Sequence, residues 1–228
     1  MSNTAVILGS NGRLGRELVR AFASACWTTY AVARQPRLAA EAPSPLVRPV
    51  AAAAQDTDAL ARAVGSADVV VFAANAPYTR WPQEALPLLQ SAIDAAARLR
   101  ACLLFPGNVY NYGEAMPPLL RPDTPQQADT RKGRVRIAME QALADAAVKR
   151  GVQSVVIRAG EFIGGGAGNW FDNTITRAIG KGRLTYPGRR DVPHAWAYLP
   201  DLARAFVAVA AARASLPHIR NCIFQGTR

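Results

Sequence analysis

The chain has 228 residues, 50% of them hydrophobic and 19% charged, which predicts one folded domain with a sizeable core and excludes a disordered chain. It shows no basic, apolar N-terminal leader, and its longest apolar run near the C-terminus, at 205–212, is far too short to span a membrane, so we expect a cytoplasmic protein without membrane contact. The net charge of +11 comes mainly from scattered arginines without a recognition motif, so no specific nucleic-acid surface is expected. The three isolated cysteines and two histidines do not have the spacing of a disulfide framework or a metal site.

Short apolar runs alternate with longer helical patterns, which is typical of a parallel α/β architecture with helices on both faces of the sheet. The predicted strands are Thr4–Leu8, Trp27–Ala33, Leu46–Ala51, Asp68–Ala73, Ala101–Phe105 and Val152–Ile157. Helices are predicted after the first strand, and at Asp58–Val64, Gln83–Leu99, Arg131–Arg150, Phe171–Gly180 and Leu202–Ala212, the last with Asp201 as its N-cap.

The segment GSNGRLG at 9–15 lies between the first strand and the first helix. Glycine is needed there because the chain turns tightly, its backbone approaches a pyrophosphate, and the helix packs closely on the strand. The free N–H groups of the helix N-terminus then face the anion. We interpret this turn as a dinucleotide-binding site, whose predicted contact residues are Gly9, Asn11, Gly12, Arg13, Leu14 and Gly15.

The end of the second strand indicates which dinucleotide binds. Sites that prefer NAD place Asp or Glu there, to bond the ribose 2′-hydroxyl. This chain has Arg34, and Arg13 lies inside the glycine turn. Two guanidiniums suit a 2′-phosphate, so we predict NADP rather than NAD. The alternative is that Arg34 is an ordinary solvated arginine.

The order and spacing of six segments resemble the extended and atypical short-chain dehydrogenase/reductases, often labelled NAD-dependent epimerase/dehydratases. The segments are GSNGRLG at 9–15, DVVVFAAN at 68–75, NVYNYG at 108–113, MEQAL at 139–143, VIRAGEFIG at 156–164 and YLPDLARAF at 198–206. The resemblance implies a Rossmann fold, α/β with a doubly wound parallel sheet in three α/β/α layers and strand order 3-2-1-4-5-6-7, over a single domain at 1–228. It also implies that Ala73, Ala74 and Asn75 line the cofactor, and that the stretch 158–162, with Ala159, Gly160 and Phe162, approaches the nicotinamide.

The family's catalytic residues do not carry over. A Ser or Thr, a Tyr and a Lys are usual, whereas the matching positions here hold Pro106, Lys132 and Arg136. Lys132 and Arg136 share one helical face, where they form either a cationic patch for an anionic substrate or the nicotinamide ribose, or a solvated basic face with Arg136 paired to Glu140.

Other side chains are candidates for the chemistry. Tyr110 is a candidate acid with Lys132 beside it, although it also fits a core position. His194 shares one face of an extended segment with Trp196, and is either a proton donor or a structural histidine. Tyr78 and Trp81 follow the fourth strand, where they either wall the substrate side of the cleft or pack on the surface.

These features predict an NADP(H)-binding oxidoreductase-like or epimerase/dehydratase-like protein that acts on a small carbonyl, alcohol or nucleotide-sugar-like molecule. The alternative is a non-catalytic NADP-binding sensor, which the altered residues favour. The family usually continues beyond this point with a substrate-binding lobe. We therefore expect the substrate cover to be small, contributed by the partner in a homodimer, or absent from this chain.

Overall fold

The computed structural model describes residues 3–37 and 44–226. Seven parallel strands form the central sheet in the order β3-β2-β1-β4-β5-β6-β9, and two further strands, β7 and β8, pair separately. The strands are β1 (Thr4–Leu8), β2 (Thr28–Ala33), β3 (Val47–Ala51), β4 (Val69–Phe72), β5 (Cys102–Gly107), β6 (Ser154–Arg158), β7 (Glu161–Ile163), β8 (Trp196–Tyr198) and β9 (Ile219–Ile223). The α-helices are α1 (Arg13–Ser24), α2 (Thr57–Val64), α3 (Trp81–Leu99), α4 (Arg131–Arg150) and α5 (Leu199–Ala212).

Helices cover both faces of this sheet, which explains why its inner strands are continuous apolar runs rather than alternating ones. One core cluster packs the sheet against apolar side chains of α2, α3 and α4, including Leu60, Leu89 and Leu143. The other packs it against α1 and α5 through Phe22 and Phe206. The doubly wound fold predicted from the sequence is therefore confirmed, with the seventh sheet position taken by β9.

Two predicted helical features are wrong. The segment 171–180 is not an α-helix: it forms a π-helical turn at Phe171–Ile175 and a short 3-10 turn at Ile179–Lys181, and four of its ten residues are β-branched. Asp201 is not an N-cap, because α5 already begins at Leu199 and the carboxylate lies in the first turn. There it complements the positive end of the helix.

The strand order reverses between β1 and β4, whose carboxyl ends lie side by side. Ligands of open parallel sheets bind in the crevice at this point, because the loops on either side turn away in opposite directions. Within the ranges that the structure describes, no helix is long and apolar enough to cross a membrane.

Candidate cofactor and active site

The glycine turn between β1 and α1 is built from close backbone contacts. Gly9 has a φ of 86°, and a Cβ added there would lie 2.6 Å from the backbone nitrogen of Ala74. A Cβ on Gly15 would collide with the carbonyl oxygen of Gly9, whereas one on Gly12 would lie 3.3 Å from that oxygen. Gly9 and Gly15 are therefore required by the fold, while Gly12 leaves room for an incoming group.

A cleft of about 1120 Å³ opens beside this turn. Its walls come from the turn, from the ends of β2, β3 and β4, and from the start of α3, and they include Gly9, Asn11, Gly12, Arg34, Arg37, Gln55, Ala73, Ala74, Asn75, Arg80 and Glu84. α1 has Gly12 as its N-cap with no side-chain hydrogen bond, and its first turn holds no acidic residue. The open N-terminus of α1 therefore faces an anion without competition from a carboxylate.

The basic rim of the cleft comes from Arg34, Arg37 and Arg80. Arg80 is paired with Glu84 at 2.9 Å, and Arg34 has no ion-pair partner among residues 3–37 and 44–226. The sequence analysis missed Arg37, although a second arginine three residues after Arg34 was a visible signal. The 2′-phosphate of a cofactor would thus meet exposed cationic side chains rather than a carboxylate.

Asn11 fixes the loop that carries these arginines. Its side-chain amide donates to the carbonyl oxygen of Gln35 at 2.8 Å, and its side-chain oxygen accepts the backbone N–H of Arg37 at 2.9 Å. The glycine turn therefore holds the β2 loop directly, so the two halves of the adenosine site are ordered together.

Arg13 lies elsewhere than predicted. Its guanidinium donates to the carbonyl oxygen of Gly164 at 3.4 Å, and Arg16 donates to that of Gly165 at 3.2 Å. Burial lowers the pKa of Arg13, with Asp172 opposing that effect. Arg13 does not line the cleft that Arg34 lines, so the predicted pairing of the two guanidiniums on one phosphate is wrong. Arg13 instead joins α1 to the glycine cluster that follows β7.

Some of the remaining predicted cofactor residues line the cleft, and others are buried in the core. Ala73, Ala74 and Asn75 line the cleft, as predicted. The side chains of Leu14 and Ala159 are buried in the core beside α1 and α5, so a ligand could contact only their backbones. Phe162 is partly buried and packs against the same core, and its approach to a nicotinamide stays a prediction. Gly160 packs too closely against Ala195 to carry a side chain.

Arg136 is buried, with 7% of its surface exposed, so the interpretation of it as part of a solvated basic face is wrong. Its guanidinium donates to the carbonyl oxygen of Pro106 and lies 4.6 Å from the ring centroid of Phe105, while its Nε has no partner among the described residues. Burial lowers the pKa of Arg136 to about 10, with Glu140 opposing that effect. A solvated basic face is thus excluded.

Glu140 pairs instead with Arg158 across the core. Arg158 donates through Nε and Nη2 to the two carboxylate oxygens at 3.2 and 2.6 Å, and Gln126 donates to the same carboxylate at 2.7 Å. Both charged residues are buried. Burial lowers the pKa of Arg158, but the hydrogen bond and charge of Glu140 outweigh this effect and raise it overall. This pair ties α4 to the end of β6.

Three candidates for the chemistry lie close to one another and to Arg136: Lys132, Tyr78 and Tyr110. The Lys132 ammonium lies 4.6 Å from the ring centroid of Tyr78. Burial, followed by the charges of Glu161 and Tyr78, raises the pKa of Tyr110 above its ordinary value. Glu161 was predicted only as part of the stretch 158–162, without a role for its carboxylate.

Trp81 does not wall the substrate side. It is only 4% exposed, and its indole nitrogen donates to the side-chain oxygen of Asn75 and to the carbonyl oxygen of Ala76, both at 3.0 Å. The prediction of Trp81 as a substrate residue is therefore wrong: the indole supports the cleft wall from behind. Tyr78 packs on Trp81 with ring centroids 4.8 Å apart and stays 53% exposed.

His194 lies in an aromatic cluster next to β7. Its ring stacks on Trp196 at 4.3 Å and on Trp170 at 5.9 Å, and its Nδ1 lies 3.2 Å from the Tyr186 hydroxyl. The face shared with Trp196 is as predicted, and β8 pairs Trp196 with Glu161 of β7. Within the described ranges, no group of three His, Cys, Asp or Glu side chains could hold a metal ion.

Comparisons with known proteins agree with this geometry. Residues 9–103 match a family model described as NAD(P)H-binding. UDP-glucose 4-epimerase from Brucella ovis, in complex with NAD, superposes with a TM-score of 0.81 at 18% identity, over 98% of this chain and 78% of the epimerase. UDP-glucuronic acid 4-epimerase from Bacillus cereus superposes with a TM-score of 0.78 at 15% identity, over 99% of this chain and 78% of that epimerase. UDP-N-acetylglucosamine 4-epimerase from Bacillus cereus superposes with a TM-score of 0.77 at 16% identity, over 96% of this chain and 77% of that epimerase. No curated protein matches the sequence.

The match over residues 9–103 and these superpositions show that the chain is similar to NAD(P)H-binding proteins and has a Rossmann fold, in line with the resemblance noted in the sequence. At these identities the superpositions show that it shares its fold with UDP-sugar epimerases, and the glycine turn supports binding of a nicotinamide dinucleotide.

Proposed function

We propose that this protein is an NADP(H)-dependent oxidoreductase-like or epimerase-like enzyme that acts on a small carbonyl, alcohol or nucleotide-sugar-like molecule. The observation that carries the proposal is the glycine turn, closed around Gly9 and Gly15 but open at Gly12, at the edge of a cleft of about 1120 Å³. A pyrophosphate could approach the backbone there without displacing any side chain.

The preference for NADP rests on the β2 loop. Arg34 and Arg37 line the adenosine end of the cleft, and Asn11 fixes the loop between them. A hydrogen bond from a guanidinium to a phosphate contributes about 1.5–3 kcal/mol. The Brucella ovis epimerase binds NAD, so we base this part of the proposal on the arginines of this chain and not on that relative.

The substrate side would be the region around Tyr78, Tyr110, Lys132 and His194, and Tyr110 and Lys132 remain the catalytic candidates predicted from the sequence. A bound nicotinamide would exchange two electrons and a proton equivalent with the substrate carbon. The net charge of +11 would draw an anionic substrate toward the protein. Among the described contacts, none favours the sensor alternative.

The test is NADPH oxidation with a panel of aldehydes, ketones and enones, followed by absorbance, together with incubation of the NADP⁺-loaded protein with UDP-sugars, whose epimerisation consumes no net cofactor and is followed by chromatography of the products. We expect at least one class to be turned over by the wild type, and Gly12→Val to lose that activity because its side chain fills the pyrophosphate position. A Lys149→Met variant, changed on the exposed end of α4, is the control. If the wild type binds NADPH but turns over no member of the panel, the proposed enzymatic function is wrong.

A further inference from the structure

We propose that Tyr78 and Lys132 form a replacement for the missing tyrosine–lysine pair, with Tyr78 as the proton donor and Lys132 as the cation that stabilises its phenolate. This inference rests on the proposed function. The phenol would come from the segment after β4 instead of from α4, while the cation occupies the position where the related family has its tyrosine.

The contact between the two side chains is direct. The Lys132 ammonium lies 4.6 Å from the centroid of the Tyr78 ring, within the range at which a cation is attracted to an aromatic face. The Tyr78 ring packs on Trp81, which is itself hydrogen-bonded to Asn75 on the cleft wall. Tyr78 therefore lies next to the segment that lines the cleft, and it is 53% exposed, so a substrate can reach its phenol.

Tyr110 is suited to support Tyr78 rather than to act as the acid. It is partly buried, and burial with the charge of Glu161 raises its pKa. It therefore keeps its proton and remains available as a hydrogen-bond donor to negative charge that develops beside it.

The charged groups around Tyr78 are mostly cationic. Lys132 lies over its ring, and Arg13 and Arg136 are close enough for electrostatic interaction with it. Arg13 comes from α1 and the other two from α4, so positive groups approach from two elements. The nearby carboxylate of Glu161 acts on Tyr110. The cationic side chains that surround Tyr78 would also attract an anionic substrate to this region.

The proposed step balances as a carbonyl reduction. With a reduced nicotinamide supplying two electrons and hydrogen to the carbonyl carbon, the C=O π bond breaks and Tyr78 gives its phenolic proton to the oxygen. The product is the alcohol, with an oxidised cofactor and a Tyr78 phenolate next to Lys132. Water then returns a proton to Tyr78. Oxidation of the alcohol runs through the same atoms in reverse.

The kinetic test compares Tyr78→Phe, Lys132→Met and the double variant in NADPH-dependent reduction of nitrobenzaldehyde and diacetyl. We expect each single change to lower kcat by about 100-fold, as for loss of a general acid, with KM and NADPH affinity changed little. The double variant should lose no more than about the larger single loss, because the two groups act as a unit. Tyr198→Phe, at another exposed tyrosine, should leave kcat unchanged.

A second readout needs no turnover. Tetranitromethane nitrates tyrosines through the phenolate, and mass spectrometry reports the extent at each site. In the protein without cofactor, Lys132→Met should reduce nitration of Tyr78 by at least roughly threefold and leave Tyr198 unchanged, because only Tyr78 loses a neighbouring cation.

The outcomes separate the two proposals. If the wild type is active and the Tyr78→Phe variant keeps kcat within about threefold of it, the assignment of Tyr78 is wrong, while the enzymatic function stands. The assignment is also wrong if Lys132→Met leaves the nitration of Tyr78 unchanged. A wild type that binds NADPH but reduces neither probe nor any other carbonyl overturns the enzymatic function, and this inference with it.

Discussion

A Cβ on Gly15 would collide with the carbonyl oxygen of Gly9, so the start of α1 and the end of β1 can approach only while residue 15 is glycine. The same backbone leaves Gly12 nearly free, with an ordinary φ of −67°. Gly15 is therefore required for packing, whereas we propose that Gly12 keeps the backbone accessible to a ligand.

Gly15→Ala should destabilise the protein by roughly 2–3 kcal/mol, because the added methyl group meets backbone that cannot rotate away. Gly12→Ala should cost only about 1 kcal/mol, because alanine is a poorer N-cap residue than glycine and its Cβ would lie 3.3 Å from the Gly9 oxygen without colliding with it. Urea denaturation of both variants checks this difference. Equal losses would show that the turn adjusts and that Gly15 has no special packing role.

Glu140→Gln should destabilise the protein by about 3 kcal/mol or more, because it leaves the buried Arg158 charge without its counter-ion. Lys149→Met removes the exposed pair with Asp145 on the same helix and should cost less than about 0.5 kcal/mol. The measurement is the urea midpoint of each variant at neutral pH. Similar midpoints for the two variants would contradict the structural role of the buried pair.

Arg34→Ala should weaken NADPH binding by about tenfold or more and leave NADH nearly unchanged, since only NADPH carries the 2′-phosphate. Arg34→Asp should reverse the preference. The wild-type preference should shrink as salt rises, because the arginine is exposed. Fluorescence titrations with both reduced cofactors measure these affinities.

Arg62→Ala is the matched control for Arg34→Ala, because it removes the same charge from α2 away from the cleft. The Arg62→Ala variant should bind NADPH and NADH as tightly as the wild type does. If Arg34→Ala and Arg62→Ala behave alike, Arg34 is an ordinary surface arginine.

Tyr110 gives an alkaline pH dependence of stability. Its folded-state pKa is raised, mainly by burial. Above about pH 10 the unfolded chain therefore releases this proton while the folded chain keeps it, so folding stability falls as pH rises. Tyr110→Phe should make this alkaline loss shallower, with little difference below about pH 9. Urea midpoints across this range test the sign, and parallel curves for the two proteins would contradict it.

The fold was readable from the sequence because its signals are strong and local. The apolar runs of β1 and β4 and the long periodic helix α4 gave both type and position correctly. The three-residue strands β7 and β8 were missed, because so short a strand carries no periodicity of its own. They form only where Glu161 meets Trp196, which lies 35 positions further along the chain.

The site was readable only in part. The glycine turn and Arg34 lie at positions fixed by the β1–α1–β2 unit, so spacing alone located them. Arg136 looked like a surface residue because arginine is usually exposed. Its burial depends on Phe105 and Pro106, which a one-dimensional pattern does not bring together. The same limit concealed the burial of Trp81 and the contact between Tyr78 and Lys132.

The most direct test of the account is a calorimetric titration of NADPH and NADH into the wild type and Gly12→Val. The account predicts that both cofactors bind the wild type, with NADPH tighter by about tenfold or more, and that neither binds the variant although its circular dichroism is unchanged. A folded Gly12→Val protein that binds NADPH as tightly as the wild type would contradict the placement of the dinucleotide at this turn.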